Sequence, residues 1–422
     1  MKRNASFFIA VRYLLGRARE GVRYLRGAAT GIAVSLIPII VTMIVSDGMI
    51  RGIMDRYMEF GSGHLQVFEF YGYTENGLEE IIGKVSEVKG VRGVWHEQRG
   101  MGVLAGKSGK AGVTVRSIDG SFWDDPAGAS FLKIISGGHK PETDRDMVLG
   151  ETLAQNIGAN VGDTVRLMTI RSTEDGRMTP RNTPFTVRGI LSCGYNELDA
   201  LWCIINGEGG DRVLFSEKSS SLIVKVNDPY KKADIYAWDI FDAIGSGFDV
   251  YTWKRLLRSQ YRAYETTRQI LLFIMALIVL VAAVNVSSAT SMLALERQRD
   301  IAVLKVTGAS VRGVTNVFLW GSFLTGLTGS VAGISIGLLI GVNINVLIRS
   351  LEKMLSFISG LFDGEEVKIL DPGFYLETIP IIVDIKAVFL IGFFTILCSV
   401  LASWIPAVRA GKLKPMELLR KT

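Results

Sequence analysis

Several stretches carry residues that could do chemistry, and their spacing is the first thing to test. Residues 100–108, GMGVLAGKS, approach a phosphate-binding loop. That loop needs a glycine five positions before the glycine of its Gly-Lys-Ser triplet, and Met101 stands there. The stretch also reads as a pair of strands with no helix behind it. His64, His96 and His139 are isolated from one another and from the cysteines, so no zinc site is expected. Three cysteines are too few for a disulfide framework. Cys193 and Cys203 could bridge a hairpin or stay as two free thiols, and Cys398 lies in an apolar stretch. Ser and Asp are plentiful, yet no spacing nominates a catalytic set. Any work this protein does must draw its energy from elsewhere.

The stretch best suited to receive that energy is Glu296 to Ser310, ERQRDIAVLKVTGAS. Glu296, Arg297, Arg299 and Asp300 cluster at its start, and Ile301, Val303, Leu304 and Val306 follow. The pattern predicts a short amphipathic helix with an apolar side available for docking. Gly308 can take the left-handed conformation that ends a helix. Ser310 can cap the next one by accepting from a free backbone N–H. The alternative is a solvated loop whose charges only set membrane topology.

The elements that position this stretch are membrane spans. The chain of 422 residues is 48% hydrophobic and still 21% charged, which fits apolar spans alternating with charged domains. Four stretches are long enough to cross about 30 Å of hydrocarbon as helix: 27–45, 270–294, 314–348 and 385–405. The first starts late and lacks a small-residue cleavage site after it, so it reads as an uncleaved anchor. Lys2, Arg3, Arg12, Arg17, Arg19, Arg23 and Arg26 precede it against a single Glu20. The 296–310 stretch and the tail 406–422 are also basic, whereas 349–384 is acidic. The positive-inside rule therefore predicts both termini and the 296–310 helix in the cytoplasm, and 46–268 and 349–384 outside. Phe7, Phe8, Val11, Tyr13, Leu14 and Leu15 alternate with cations, so 1–26 reads as an interfacial amphipathic helix. Plain topogenic charge is the alternative. Gly329, Gly333, Gly337 and Gly341 repeat every fourth residue, a smooth stripe for close helix packing. The stripe could serve packing within one subunit or a subunit interface. No acid or base lies deep in any span, which argues against an ion-coupled transporter.

Residues 46–268 read as one α+β domain with two subdomains, the second at about 140–220. Expected helices are Asp47–Tyr57, Gly77–Val88, Glu151–Ile157, Lys231–Ala243 and a long one from Tyr251 to Arg268 that runs on into the second span as a lever. Expected strands include His64–Phe68, Gly112–Ile118, Thr164–Met168, Phe185–Leu191, Trp202–Ile205 and Ser221–Val226. Arg171–Pro184, RSTEDGRMTPRNTP, reads as a projecting hairpin loop. The fold class is thus a four-span α-helical membrane protein with an α+β extracytoplasmic domain between its first and second spans.

One span, a large outer domain, three further spans and a cytoplasmic hairpin together resemble the FtsX/MacB/LolC-type permeases of ABC transporters. ERQRDIAVLKVTGAS resembles the cytoplasmic coupling helix of that superfamily. PAVRAGKLKPMELLR, Pro406 to Arg420, resembles its C-terminal signature, and MVLGETLAQNIGANVGDTVRL the start of its second outer subdomain. AVRYLLGRAREG, Ala10 to Gly21, is most similar to the lipoprotein-releasing LolC/LolE branch. A MacB-type exporter carries its ATPase on the same chain, and an FtsX-type protein usually has a smaller outer domain. The resemblance implies a non-catalytic permease without a cofactor of its own, ATP and Mg being bound by a LolD-like partner. It also implies a second permease subunit (the same chain or a paralogue), lipoprotein substrates, membrane lipids, a periplasmic LolA-like carrier and no nucleic acid. By the resemblance, Glu296, Arg297, Arg299, Asp300, Ile301 and Leu304 couple to the ATPase. Arg177, Met178, Pro180, Arg181 and Pro184 are the counterpart of the carrier-recruiting hook. Competing implications are a MacB-like mechanotransmission permease and an FtsX-like activator of a cell-wall hydrolase.

Overall fold

The computed structural model describes residues 21–69, 75–172, 178–214, 220–360, 376 and 378–413. The expected interfacial helix lies outside them up to residue 20, as do Arg177 and the tail beyond Leu413. The chain divides into a helical unit, Met1–Gly48, Glu265–Val367 and Ile379–Thr422, and a sheet unit, Met49–Tyr264 with Lys368–Thr378.

Among the described residues, four helices are long and apolar enough to cross a membrane. They begin with Gly21–Arg56, Arg258–Glu296 and Val311–Val342. The fourth is Ile385–Ala402, continued after a break at Ser403 by Trp404–Lys412. Asp384 starts the fourth by accepting from the N–H groups of Lys386 and Ala387 at 3.0 and 3.2 Å. The third ends six residues before the expected 348. Asn343 leaves helical geometry at φ −99°, ψ 15°. Its amide donates back to the Leu339 carbonyl at 2.8 Å. A separate helix, Ile344–Gly360, follows where the acidic segment 349–384 was expected to be loop. Asn345 on that helix holds the backbone N–H and C=O of Ile379 at 3.0 and 2.9 Å. Leu293 aside, the second helix meets the first through Met275, Val279, Ala282 and Val286, which pack with Ile32, Leu36, Ile39, Ile40 and Ile44. The Thr290 hydroxyl reaches those of Ser322 and Ser403 at 3.1 and 3.3 Å, joining the second, third and fourth helices.

Among its described residues the sheet unit has ten strands: β1 Leu65–Glu69, β2 Val91–Ala105, β3 Lys110–Ile118, β4 Lys133–Gly137, β5 Asp146–Gly150, β6 Thr164–Ser172, β7 Met178–Ser192, β8 Trp202–Asn206, β9 Ser220–Val226 and β10 Phe248–Thr252. The long β2 belongs to two layers. Its first half pairs with β9, from Val91↔Val226 to Gln98↔Ser220, and β9–β1–β10 extend that side. Its second half pairs with β3, and its last residues, Val103–Ala105, pair with Met168–Arg166 of β6. That last pairing closes a ring, β2–β3–β8–β5–β7–β6. Leu104, Val115, Leu149, Leu167, Phe185, Val187 and Ile205 fill it, as alternation along closed strands requires. The second subdomain is therefore not the contiguous 140–220: β2 and β3 complete it from earlier in the chain. The helices Glu75–Ser86 and Pro229–Ile244 cover the other layer through Ile81, Val85, Tyr236 and Ile240. Tyr251 sits in strand β10, and the short helix Trp253–Leu256 and Leu257 intervene, so the unbroken helix starts at Arg258 rather than at Tyr251.

Lys225 on β9 is wholly buried, and its ammonium bonds the carboxylates of Glu59 and Asp125 at 2.7 Å each. Glu59 is also 3.2 Å from His64 Nε2. Cys193 and Cys203 are both buried and free. Burial pushes the Cys203 thiol up to about 12.

Candidate coupling surfaces

The 296–310 stretch folds as a helix, Gln298–Val306, set off from the second spanning helix by a break at Arg297 (φ −92°, ψ 21°). Gly308 adopts φ +96°, and the Ala309 N–H closes the turn on the Leu304 carbonyl at 2.8 Å. Ser310 Oγ accepts from the Gly313 N–H at 3.1 Å and starts the third spanning helix. The expected stop and start signals are both present.

The inner face departs from expectation. Ile301 is buried in a cluster with Leu25, Leu293, Ala294, Val314, Phe318, Ala407 and Ala410, and Ala302 beside it is buried too. Ile301 is therefore a foundation and is not available to a partner, and Leu304 is half-buried. The apolar side chains left outside are Val303 and Val306, 61% and 70% exposed, three positions apart on one face. Arg299 and Asp300 are exposed beside them, as is Glu296. Arg297 pairs with Asp300 at 3.2 Å, an exposed bridge worth little by itself. Lys305 donates to the Leu413 carbonyl at 2.6 Å, tying this helix to the chain beyond the fourth span.

The glycines of the third helix lie against the first. A Cβ on Gly329 would fall 2.8 Å from the Ala29 carbonyl oxygen, and one on Gly333 2.8 Å from that of Ala33. On Gly337 it would meet Ile40 Cβ at 2.9 Å, and on Gly341 Ile44 Cδ1 at 2.5 Å. The stripe thus packs two helices of one chain. Gly333–Gly337 also spells G-x-S-x-G, but Ser335 stands exposed in mid-helix and not on the strand-to-helix turn of a nucleophile elbow.

The expected loop Arg171–Pro184 is largely strand. β6 and β7 pair in register from Thr164↔Thr186 to Ser172↔Met178, with Pro180 opposite Ile170 and Pro184 opposite Arg166. Neither strand pairs elsewhere beyond Met168 and before Thr186, so the hairpin runs out of the ring as a free two-stranded ribbon. Pro180, Arg181 and Pro184 are exposed on it, and so is Ile170 at 70%. Prolines suit such a ribbon because they withhold the N–H groups that another strand would bind. Among the described residues, no cluster of three or more His, Cys, Asp or Glu could hold a metal.

Residues 27–236 match the family model of the MacB-like periplasmic core domain, and residues 272–415 that of the FtsX-like permease C-terminal. The chain belongs to the MacB/FtsX-type ABC transporter permeases. The permease is similar along almost its whole length to named relatives. It is 27% identical to the lipoprotein-releasing system transmembrane protein LolC of Neisseria meningitidis serogroup B, over 98% of each chain. LolC of Xylella fastidiosa is 26% identical over 98% of each chain, and LolE of Haemophilus influenzae 22% over 99% of each. Membership of this family implies an ATPase partner and a paired permease.

Proposed function

We propose that this permease extracts lipoproteins from the inner membrane and passes them to a periplasmic carrier, driven by a separate ATPase. The observation that carries the reading is the end-to-end similarity to LolC and LolE, whose alignments leave no large domain unmatched on either side. The geometry supports it. Val303 and Val306 offer an apolar docking face on a helix braced against the ends of the spans. In this reading both termini and that helix are cytoplasmic, the sheet unit is periplasmic, and a LolD-like ATPase engages Glu296, Arg299 and Asp300 around the valines. A second permease subunit completes the transporter. The spanning helices Gly21–Arg56 and Arg258–Glu296 run on without a break into the chain of the sheet unit and transmit the stroke. The β6–β7 ribbon, with Met178, Pro180, Arg181 and Pro184, receives a LolA-like carrier. Each methylene costs about 0.8 kcal/mol to draw from lipid, so an anchor of three acyl chains does not leave without ATP. Lipoprotein release from spheroplasts depleted of this chain tests the proposal. Release should stop, and release at the normal rate would defeat it.

A further inference from the structure

The helix Ile344–Gly360 carries an apolar face that none of the above uses. Val346, Leu347, Leu351, Met354, Phe357 and Ile358 are all exposed on it, Phe357 at 73%. At about 100° per residue they share one arc of roughly 140°, interrupted only by Ser350. Arg349 and Lys353, one turn apart, border that arc on one side and are exposed as well. Ile348, Glu352 and Leu355 lie outside the arc and are half-buried. The exposed residues of this helix therefore include two cations and no acid.

The helix begins at the level where the spans leave the hydrocarbon. The third spanning helix has 32 residues, so it is about 48 Å long and matches a bilayer with its headgroups. No charged residue stands between Arg312 and Arg349. At the same end of the other spans, Arg268 pairs with Asp47 at 3.5 Å and with Asp384 at 3.7 Å. Asn345 holds the backbone of Ile379, a few residues before Asp384. Directed away from the bilayer, the helix would set six apolar side chains in water. Turned back into hydrocarbon, it would carry Arg349, Glu352 and Lys353 with it. Lying along the surface avoids both costs. The charges choose the occupant of the arc. A second copy of this helix exposes no acid to the two cations, whereas a phospholipid surface offers phosphates beside acyl chains.

We infer that the helix Ile344–Gly360 lies in the headgroup layer of the bilayer, its apolar arc in the acyl boundary and Arg349 and Lys353 on phospholipid phosphates. The inference stands on the spans and on this helix, and it does not depend on lipoprotein release. The test uses the full-length chain in phosphatidylglycerol nanodiscs, with one nitroxide label at Met354→Cys. Cys398→Ala removes the half-buried thiol, and the two remaining cysteines are buried. A label at Ala243→Cys, exposed in the sheet unit, is the aqueous control. Paramagnetic resonance reads collisions with oxygen, which concentrates among acyl chains, and with a nickel chelate, which stays in water. The oxygen-to-nickel ratio should be at least fivefold higher at Met354 than at Ala243. Equal ratios would place the helix in water and overturn the inference. An immobilised label shielded from both reagents would put a second permease copy on the arc and overturn it as well. Arg349→Gln with Lys353→Gln should lower the ratio at Met354 at least twofold, and so should discs of a neutral glycolipid without phosphate. The native ratio in both would overturn the role of the two cations. Gel filtration of every variant checks that it folds. No ATPase, carrier or lipoprotein is present, so a failure here is distinct from a failure of release.

Discussion

The glycine stripe predicts that one substitution will be costly at one position and nearly neutral at another about two turns away. At Gly333 an added Cβ would lie 2.8 Å from the Ala33 carbonyl oxygen, 2.9 Å from Ala33 Cα and 2.9 Å from Leu36 Cβ. Unstrained carbon contacts sit at about 3.5–4.0 Å, so the facing helix must retreat by about 0.7 Å or more. None of those three atoms can rotate away, which places Gly333→Ala near the upper end of the overpacking range, about 3 kcal/mol. Alanine returns about 1 kcal/mol through its better helix propensity, leaving a net loss of about 2 kcal/mol. At Gly341 the near contact is Ile44 Cδ1, the free end of a side chain, and the next atoms are 3.5 Å away. Turning that rotamer costs about 1 kcal/mol, which the propensity gain offsets. Gly341→Ala should therefore melt within about a degree of the native chain, and Gly333→Ala several degrees lower. The assay is heating of both purified full-length variants in one detergent, followed by gel filtration of the surviving monodisperse fraction. If Gly333→Ala melts at or above Gly341→Ala, close packing of the first and third helices does not set stability.

The coupling helix gives a second contrast. Val303→Asp with Val306→Asp changes only exposed positions, so the protein should accumulate normally while co-purification of the ATPase falls at least tenfold; unchanged co-purification would place the docking face elsewhere. Ile301→Asp buries a carboxylate in an apolar cluster and should instead lower the amount of folded protein in the membrane, read by its heat stability in detergent. In the sheet unit, Lys225→Met leaves Glu59 and Asp125 without their cation and should cost about 3–5 kcal/mol in denaturant titration of the full chain. Burial pushes the Asp125 carboxyl up, but the hydrogen bond and charge of Lys225 outweigh it and hold the group below its ordinary value. A depressed carboxylate stabilises the fold above its unfolded pKa and loses that contribution as pH falls through the folded one. The native chain should therefore lose stability below about pH 4, and Asp125→Asn should show a flatter acid limb by circular dichroism.

Span positions were legible because crossing hydrocarbon needs a long apolar run, a local property of the sequence. The start at Ser310 and the stop at Gly308 were legible for the same reason, since each is set by a neighbouring side chain or a single φ. What stayed hidden depends on pairing between distant residues. The ring closes where Val103 meets Met168, which no pattern within either strand announces. In β9 one lysine, Lys225, stands within the apolar run Leu222–Val226, and nothing in the strand itself tells what would pair with it. Yet β9 lies between β1 and β2 with both faces covered, and Lys225 finds its Asp125 partner 100 residues away. The β6–β7 segment reads as a loop because two prolines count against a strand. On a free ribbon the missing N–H groups would have faced solvent, so the prolines are tolerated there.

The helix Gln298–Val306 shows why composition alone does not tell which of its apolar residues are buried. Ile301 and Leu304 lie three positions apart, and so do Val303 and Val306, so the sequence offers two equivalent apolar pairs. Only the neighbours decide between them. Ile301 is enclosed by Leu293 from the second helix, Val314 and Phe318 from the third, Ala407 and Ala410 beyond the fourth and Leu25 from the first. A load on Val303 and Val306 therefore does not bend a flexible loop. It presses on one packed cluster in which all four spanning segments take part, while Lys305 holds the Leu413 carbonyl on the far side. Packed cores resist compression, so the ends of the four segments must shift together or not at all. If the ATPase docks as proposed, the two exposed valines receive its force and the buried Ile301 passes it on.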